Sequence, residues 1–282
     1  MASMMGTPAT TRTLHDRLKH SISRTALRSY LAEFISAFLF VFVVIGSIMA
    51  SRELLPDGTN TSDPSCLVAV AFANAFALST AVYIFGASSS SDTKSASSGA
   101  HVNPAVTFGL AVGGHISIPT ALFYWIMQLL ASSMACLLLR VATADHVVPT
   151  HAIAVEMTGF GASIIEGVTT FTLVYTVYAA RDARKGPLSA IGPIAIGFVA
   201  GGNVLATGPF SGGSMNPACS FGSALVNGSF KNQAVYWVGP LIGGAIAGLV
   251  YDNVVFPVTS VQHSAVDSGI NDGHGTNSNS GF

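Results

Sequence analysis

The tripeptide Asn103-Pro104-Ala105 returns as Asn216-Pro217-Ala218, and the stretches around them, SGAHVNPAVTFG (98–109) and SGGSMNPACSFG (211–222), correspond at a constant offset of 113. Asparagine is a good N-cap, proline suits the first helical position because it has no N–H to lose, and alanine propagates the helix. Each copy therefore predicts a capped short helix, and the asparagine amide can still donate hydrogen bonds to a neutral molecule. Glu33 and Glu166 lie in long apolar runs, where carboxylates are costly and by default mark a proton or ion path. Cys66, Cys136 and Cys219 lack metal-ligand spacing and read as free thiols, so no metal site is expected. No Ser/His/Asp or phosphate-cradling constellation is visible, which argues against an enzyme and against a cofactor.

The elements that position these residues follow from composition. Half of the 282 residues are hydrophobic and 9% are charged, against about 25% charged in soluble domains, so the chain is built for a lipid bilayer. A net charge of −1, with no basic stripe, excludes nucleic acid as a partner. Six apolar runs are long enough to cross a bilayer, which takes roughly 20 residues. They are Ser29–Ala50, Cys66–Gly86, Pro119–Ala142, Gly159–Ala180, about Leu188–Thr207 and Gln233–Phe256. After each Asn-Pro-Ala the apolar run is too short to cross, ending near Val112 and Val226. The expected class is an all-α membrane protein with six transmembrane helices and two re-entrant half-helices. Residues 1–28 read as a cytosolic tail and 29–256 as one channel-like unit with halves at about 29–142 and 159–256. Residues 257–282 read as a disordered cytosolic tail. The serine-rich stretch 88–98 reads as a surface insert, and Asn60 opens a glycosylation sequon.

Six spans put both termini on one side. The basic residues agree: Arg12, Arg17, Lys19, Arg24, Arg28, Lys94, Arg181, Arg184 and Lys185 fall there, and Arg52, Arg140 and Lys231 fall opposite, which predicts cytosolic termini. Three spans per half invert the second half relative to the first, an arrangement that places a site at the bilayer midplane. The half-helix N-termini then meet near the centre, each carrying roughly half a positive charge, which repels cations and tolerates uncharged solutes.

Two Asn-Pro-Ala boxes on inverted repeats, with Glu33 and Glu166 in spans one and four, resemble the major intrinsic protein family of aquaporins over residues 29 to 256. HVNPAVTFG, SMNPACSFG, GFVAGGNVLA and Pro149-Thr150-His151 are most similar to plant tonoplast intrinsic proteins, and the filter residues resemble their fifth subgroup. The resemblance implies an hourglass fold, a homotetramer with a pore in each monomer, and a vacuolar membrane location. It places the selectivity constriction on Asn74, Val204, Gly213 and Cys219, and His151 on either a filter contact or a loop surface. In this fold Glu33 and Glu166 are expected to accept hydrogen bonds from the re-entrant loop backbones. Gln128 is expected to join spans, and His101 to have a fixed hydrogen-bonding role. The glycine pairs Gly201-Gly202 and Gly243-Gly244 are expected to permit close helix contact. The water-selective pattern of an aromatic and an arginine is absent, so the expected solutes are water together with urea, glycerol and hydrogen peroxide. The competing reading is a secondary transporter, which also uses inverted repeats, although neither filter nor motif carries the titrating group that ion coupling needs.

Overall fold

The computed structural model describes residues 21–54, 64–86, 100–182, 184 and 191–257. The serine-rich insert, the Asn60 sequon and the C-terminal stretch from 258 onward lie outside the described residues, as do residues 1–20. Among those described, the chain is all-helical: α1 Arg24–Glu53, α2 Pro64–Phe85, α3 Pro104–Val112, α4 Ile118–Ala142, α5 Gly159–Arg181, α6 Ile191–Ser211, α7 Pro217–Asn227 and α8 Val235–Val250. A π-helical turn, Tyr251–Val255, extends α8. Six of these helices are long and apolar enough to cross a membrane. Helices α3 and α7, at 9 and 11 residues, rise only about 13–17 Å at 1.5 Å per residue and cannot.

Local chemistry sets the helix starts. Ser23 accepts from the Ala26 N–H, so α1 begins at Arg24 and the last five residues of the expected tail are helical. Ser117 and Thr158 cap α4 and α5 in the same way. The outer surface carries large apolar side chains, among them Phe76, Leu137, Ile164 and Phe198, all more than half exposed. Water would not leave such a surface bare in a monomer, whereas acyl chains solvate it.

Packing follows the inverted repeat. In the first half α1 packs on α2 and α4; in the second α5 packs on α6 and α8, and α2 against α6 joins the halves. Each half-helix crosses to the other half, α3 onto α8 and α7 onto α4. Missing side chains make these crossings possible. A Cβ on Gly109 of α3 would stand 2.6 Å from the Gly244 carbonyl oxygen of α8, and one on Gly222 of α7 would stand 2.8 Å from that of Ser132 in α4. Gly201, Gly243 and Gly244 pack this closely against α2, α5 and α3, but Gly202 faces open space, so that member of its pair permits no close contact.

Candidate functional site

Asn103 and Asn216 face one another where α3 and α7 begin. The side-chain Oδ1 of Asn103 accepts the Ala105 N–H at 2.8 Å, and that of Asn216 accepts the Ala218 N–H at 3.0 Å. Their amides reach across the repeat: Asn103 Nδ2 donates to the Met215 carbonyl at 2.8 Å, and Asn216 Nδ2 to the Val102 carbonyl at 3.0 Å. An amide nitrogen has two hydrogens. One from each asparagine is used in this exchange, and the other can serve a solute. Pro104, Ala105, Pro217 and Ala218 are buried in the first turns behind them.

Val102 and Met215 present their carbonyls from left-handed backbone, with φ of 59° and 53°. For a β-branched valine that conformation is strained, and such strain persists only where the surroundings over-determine it. The two carboxylates do so. Glu33 accepts from the backbone N–H of His101 at 3.1 Å and from that of Val102. Glu166 accepts from the N–H groups of Ser214 and Met215 at 3.0 and 2.7 Å, and from the Ser211 hydroxyl at 2.7 Å. Gln128 donates to both Glu33 and the Thr107 hydroxyl, at 2.8 and 2.9 Å. The carboxylates thus anchor irregular backbone that lipid could not hydrogen-bond.

A cavity of about 20 Å³ opens from the asparagine pair toward the end at which α2 and α5 terminate. A single water needs roughly 10–15 Å³, so the cavity has room for one or two waters. Its walls are helical stripes four residues apart: Asn74, Leu78 and Val82 on α2; Leu173 and Val177 on α5; Ile196 and Ala200 on α6. Asn103, Asn216 and His101 supply polar groups to this apolar lining.

Of the expected constriction residues, Asn74 lines this cavity with its amide donating to the Val70 carbonyl at 3.0 Å. Val204, Gly213 and Cys219 do not line it. Val204 continues the α6 stripe beyond the asparagines and lies against Gly213, whose Cβ would stand 3.2 Å from the Val204 Cα. Cys219, 2% exposed, follows Ala218 in the first turn of α7, where its N–H approaches Asn216 Oδ1 at 3.4 Å. His151 sits in the loop before α5 and is half-buried. Its ring packs on Gly212 and Tyr236, and its Nδ1 lies 3.2 Å from the Ser220 hydroxyl. Burial there pushes the imidazole pKa down to about 4. His101 has fixed partners in Thr107 and Arg181. The three cysteines are free thiols.

Sequence reasoning missed Val102, Met215 and Asn203. The first two occupy equivalent positions one residue before each motif, a signal present in the 113-residue offset, but positive φ leaves no mark on valine or methionine. Asn203 on α6 donates to the Thr169 carbonyl at 2.9 Å and lies 3.2 Å from the Met215 sulfur. It braces that loop against α5.

The family model described as Major intrinsic protein matches residues 20–251. The chain is 58% identical over 249 residues to "Probable aquaporin TIP5-1" of Arabidopsis thaliana, covering 88% of this chain and 93% of that protein. It is 52% identical over 248 residues to the protein of the same name from Oryza sativa subsp. japonica, covering 85% and 88%. Among solved structures it resembles the aquaglyceroporin from Plasmodium falciparum, with a TM-score of 0.59 over 80% of this chain and 97% of that one. At 20% identity this last likeness bears on the fold alone.

Proposed function

Because the chain belongs to the major intrinsic protein family of membrane channels, we propose that it passes water and small neutral solutes, namely urea, glycerol and hydrogen peroxide, and excludes protons and other cations. The observation that carries this reading is the reciprocal Asn103–Asn216 pair at the inner end of a largely apolar cavity. Two half-helix N-termini meet there, and their partial positive charges oppose a cation while the spare amide hydrogens hold a neutral solute's oxygen.

The proposed constriction comprises Asn74, Val204, Gly213 and Cys219, with His151 beside its loop at Gly212 as a further candidate. A thiol is small, neutral and a weak donor, and glycine adds no side chain, so this opening is wider and less polar than one lined by an arginine. We assign Glu33 and Glu166 a structural role on the strength of their backbone partners. The names of the relatives and the nine basic residues on one side favour a vacuolar membrane location with cytosolic termini. The exposed apolar flanks suit packing of four copies in lipid.

Stopped-flow light scattering on proteoliposomes under water, urea and glycerol gradients tests the proposal. The expected result is fast, unsaturable flux of all three. Flux that saturates with solute, or that requires a gradient of a second ion, would favour the carrier reading instead.

A further inference from the structure

Arg181 is the last residue of α5 and is exposed. Leu173 and Val177 on the same helix line the cavity, and residues four apart share a helix face, so Arg181 continues their stripe by one turn at the cavity's outer end. Its Nη1 lies 3.4 Å from Nε2 of His101, another lining residue. A guanidinium can only donate, so Nε2 accepts and the ring proton sits on Nδ1, which donates to the Thr107 hydroxyl at 3.1 Å. Both ring nitrogens are committed, and the imidazole in this arrangement is neutral.

The nearby carboxylates are held by other partners as well, although the Glu33 charge still attracts that of Arg181. Asp182 binds Arg184 through two contacts of 2.8 Å and accepts the Tyr251 hydroxyl at 2.8 Å. Glu33 accepts the His101 and Val102 N–H groups and the Gln128 amide. Tyr124, whose ring meets His101 edge-on, shares its hydroxyl with Ser29.

We propose that Arg181 is a specificity-determining residue, whose fixed positive charge guards this mouth of the pore against cations and serves in place of an arginine at position 219. The inference rests on the neutral-solute channel reading and deepens it. At the opposite constriction Cys219 offers no charge. A unit charge several ångströms from the path of a monovalent cation costs it enough, even at an effective dielectric near 20, to slow passage about tenfold or more.

The test uses the full chain in proteoliposomes, with water permeability from stopped-flow scattering and potassium permeability from an entrapped potassium-sensitive dye. R181Q and R181M, which remove the charge, should raise the potassium-to-water permeability ratio about tenfold or more, and R181K should keep the parent's ratio. A ratio equal to the parent's in whichever charge-free variant folds would overturn the proposal. So would loss of water flux and folded yield in both, rescued by R181K, with no potassium leak in the residual folded fraction; Arg181 would then be only a structural counter-charge. A parent that conducts no water would instead overturn the channel reading on which the inference rests.

Discussion

Cys219 and Glu166 show how position, more than residue type, assigns a role. A cysteine in the first turn of α7 lies beside the Asn216 amide, and an arginine there would bring a fixed charge and several donors into the proposed constriction. C219R is therefore expected to cut urea and glycerol flux much more than water flux; equal losses for all three would show that position 219 does not set the solute range. Glu166 holds two backbone N–H groups and a hydroxyl. E166A should cost about 1–3 kcal/mol for each buried donor it orphans, seen as a lower unfolding temperature in detergent, whereas E166Q retains one acceptor oxygen and should fall between. A proton-path role would be revealed by proton flux in the parent that E166Q abolishes. His151 supplies a pH prediction. Its folded pKa of about 4 lies below the unfolded value of about 6.5, so the unfolded chain binds more protons between these values and acidification through that window removes stability. H151Q should flatten the fall in unfolding temperature between pH 6.5 and 4.

At the scale of elements, the crossings of α3 onto α8 and α7 onto α4 hold the half-helices in register. These contacts are backbone against backbone, because Gly109, Gly222 and Gly244 have no Cβ to separate the helices. The seam between α5 and α8 is tighter still, since a Cβ on Gly243 would stand 2.0 Å from the Gly167 carbonyl oxygen. G243A is expected to destabilise the fold by about 1–3 kcal/mol, the usual cost of overpacking. G202A meets nothing within 4 Å and should leave the unfolding temperature unchanged or slightly raised. If both substitutions had the same small effect, the close approach of α5 and α8 would not be a source of stability.

At the scale of the molecule, an odd number of spans per half relates the two ends of the pore by the inverted repeat, and it is the side chains that make them unlike. One end carries the α5 terminus, the basic residues Arg181 and Arg184, and the π-helical extension of α8; the other carries Val204, Gly213 and Cys219. If the termini are cytosolic, protease added outside sealed vacuolar vesicles of native orientation, whose cytosolic face is outward, should remove N- and C-terminal tags together, and protection of both would place the termini in the lumen. Cleavage of one tag alone would contradict an even number of crossings.

The sequence by itself determined the spans, the two half-helices and their inversion, because each depends on local composition: run length against bilayer thickness, an Asn-Pro cap, and an odd count per half. The expected and observed bounds of α3, α4 and α5 agree to within one residue for that reason. The start of α1 was hidden because a serine cap carries the helix into a stretch whose charges resemble a tail. Only the tertiary structure decided what the polar residues touch. The left-handed turns at Val102 and Met215, the bracing by Asn203 and the inward packing of His151 all arise from chain segments far apart in sequence. Nothing in the 113-residue offset reveals that each asparagine donates to the carbonyl that precedes the other. That pairing exists because each half-helix packs on the opposite half, so the two caps can satisfy their backbone only through one another.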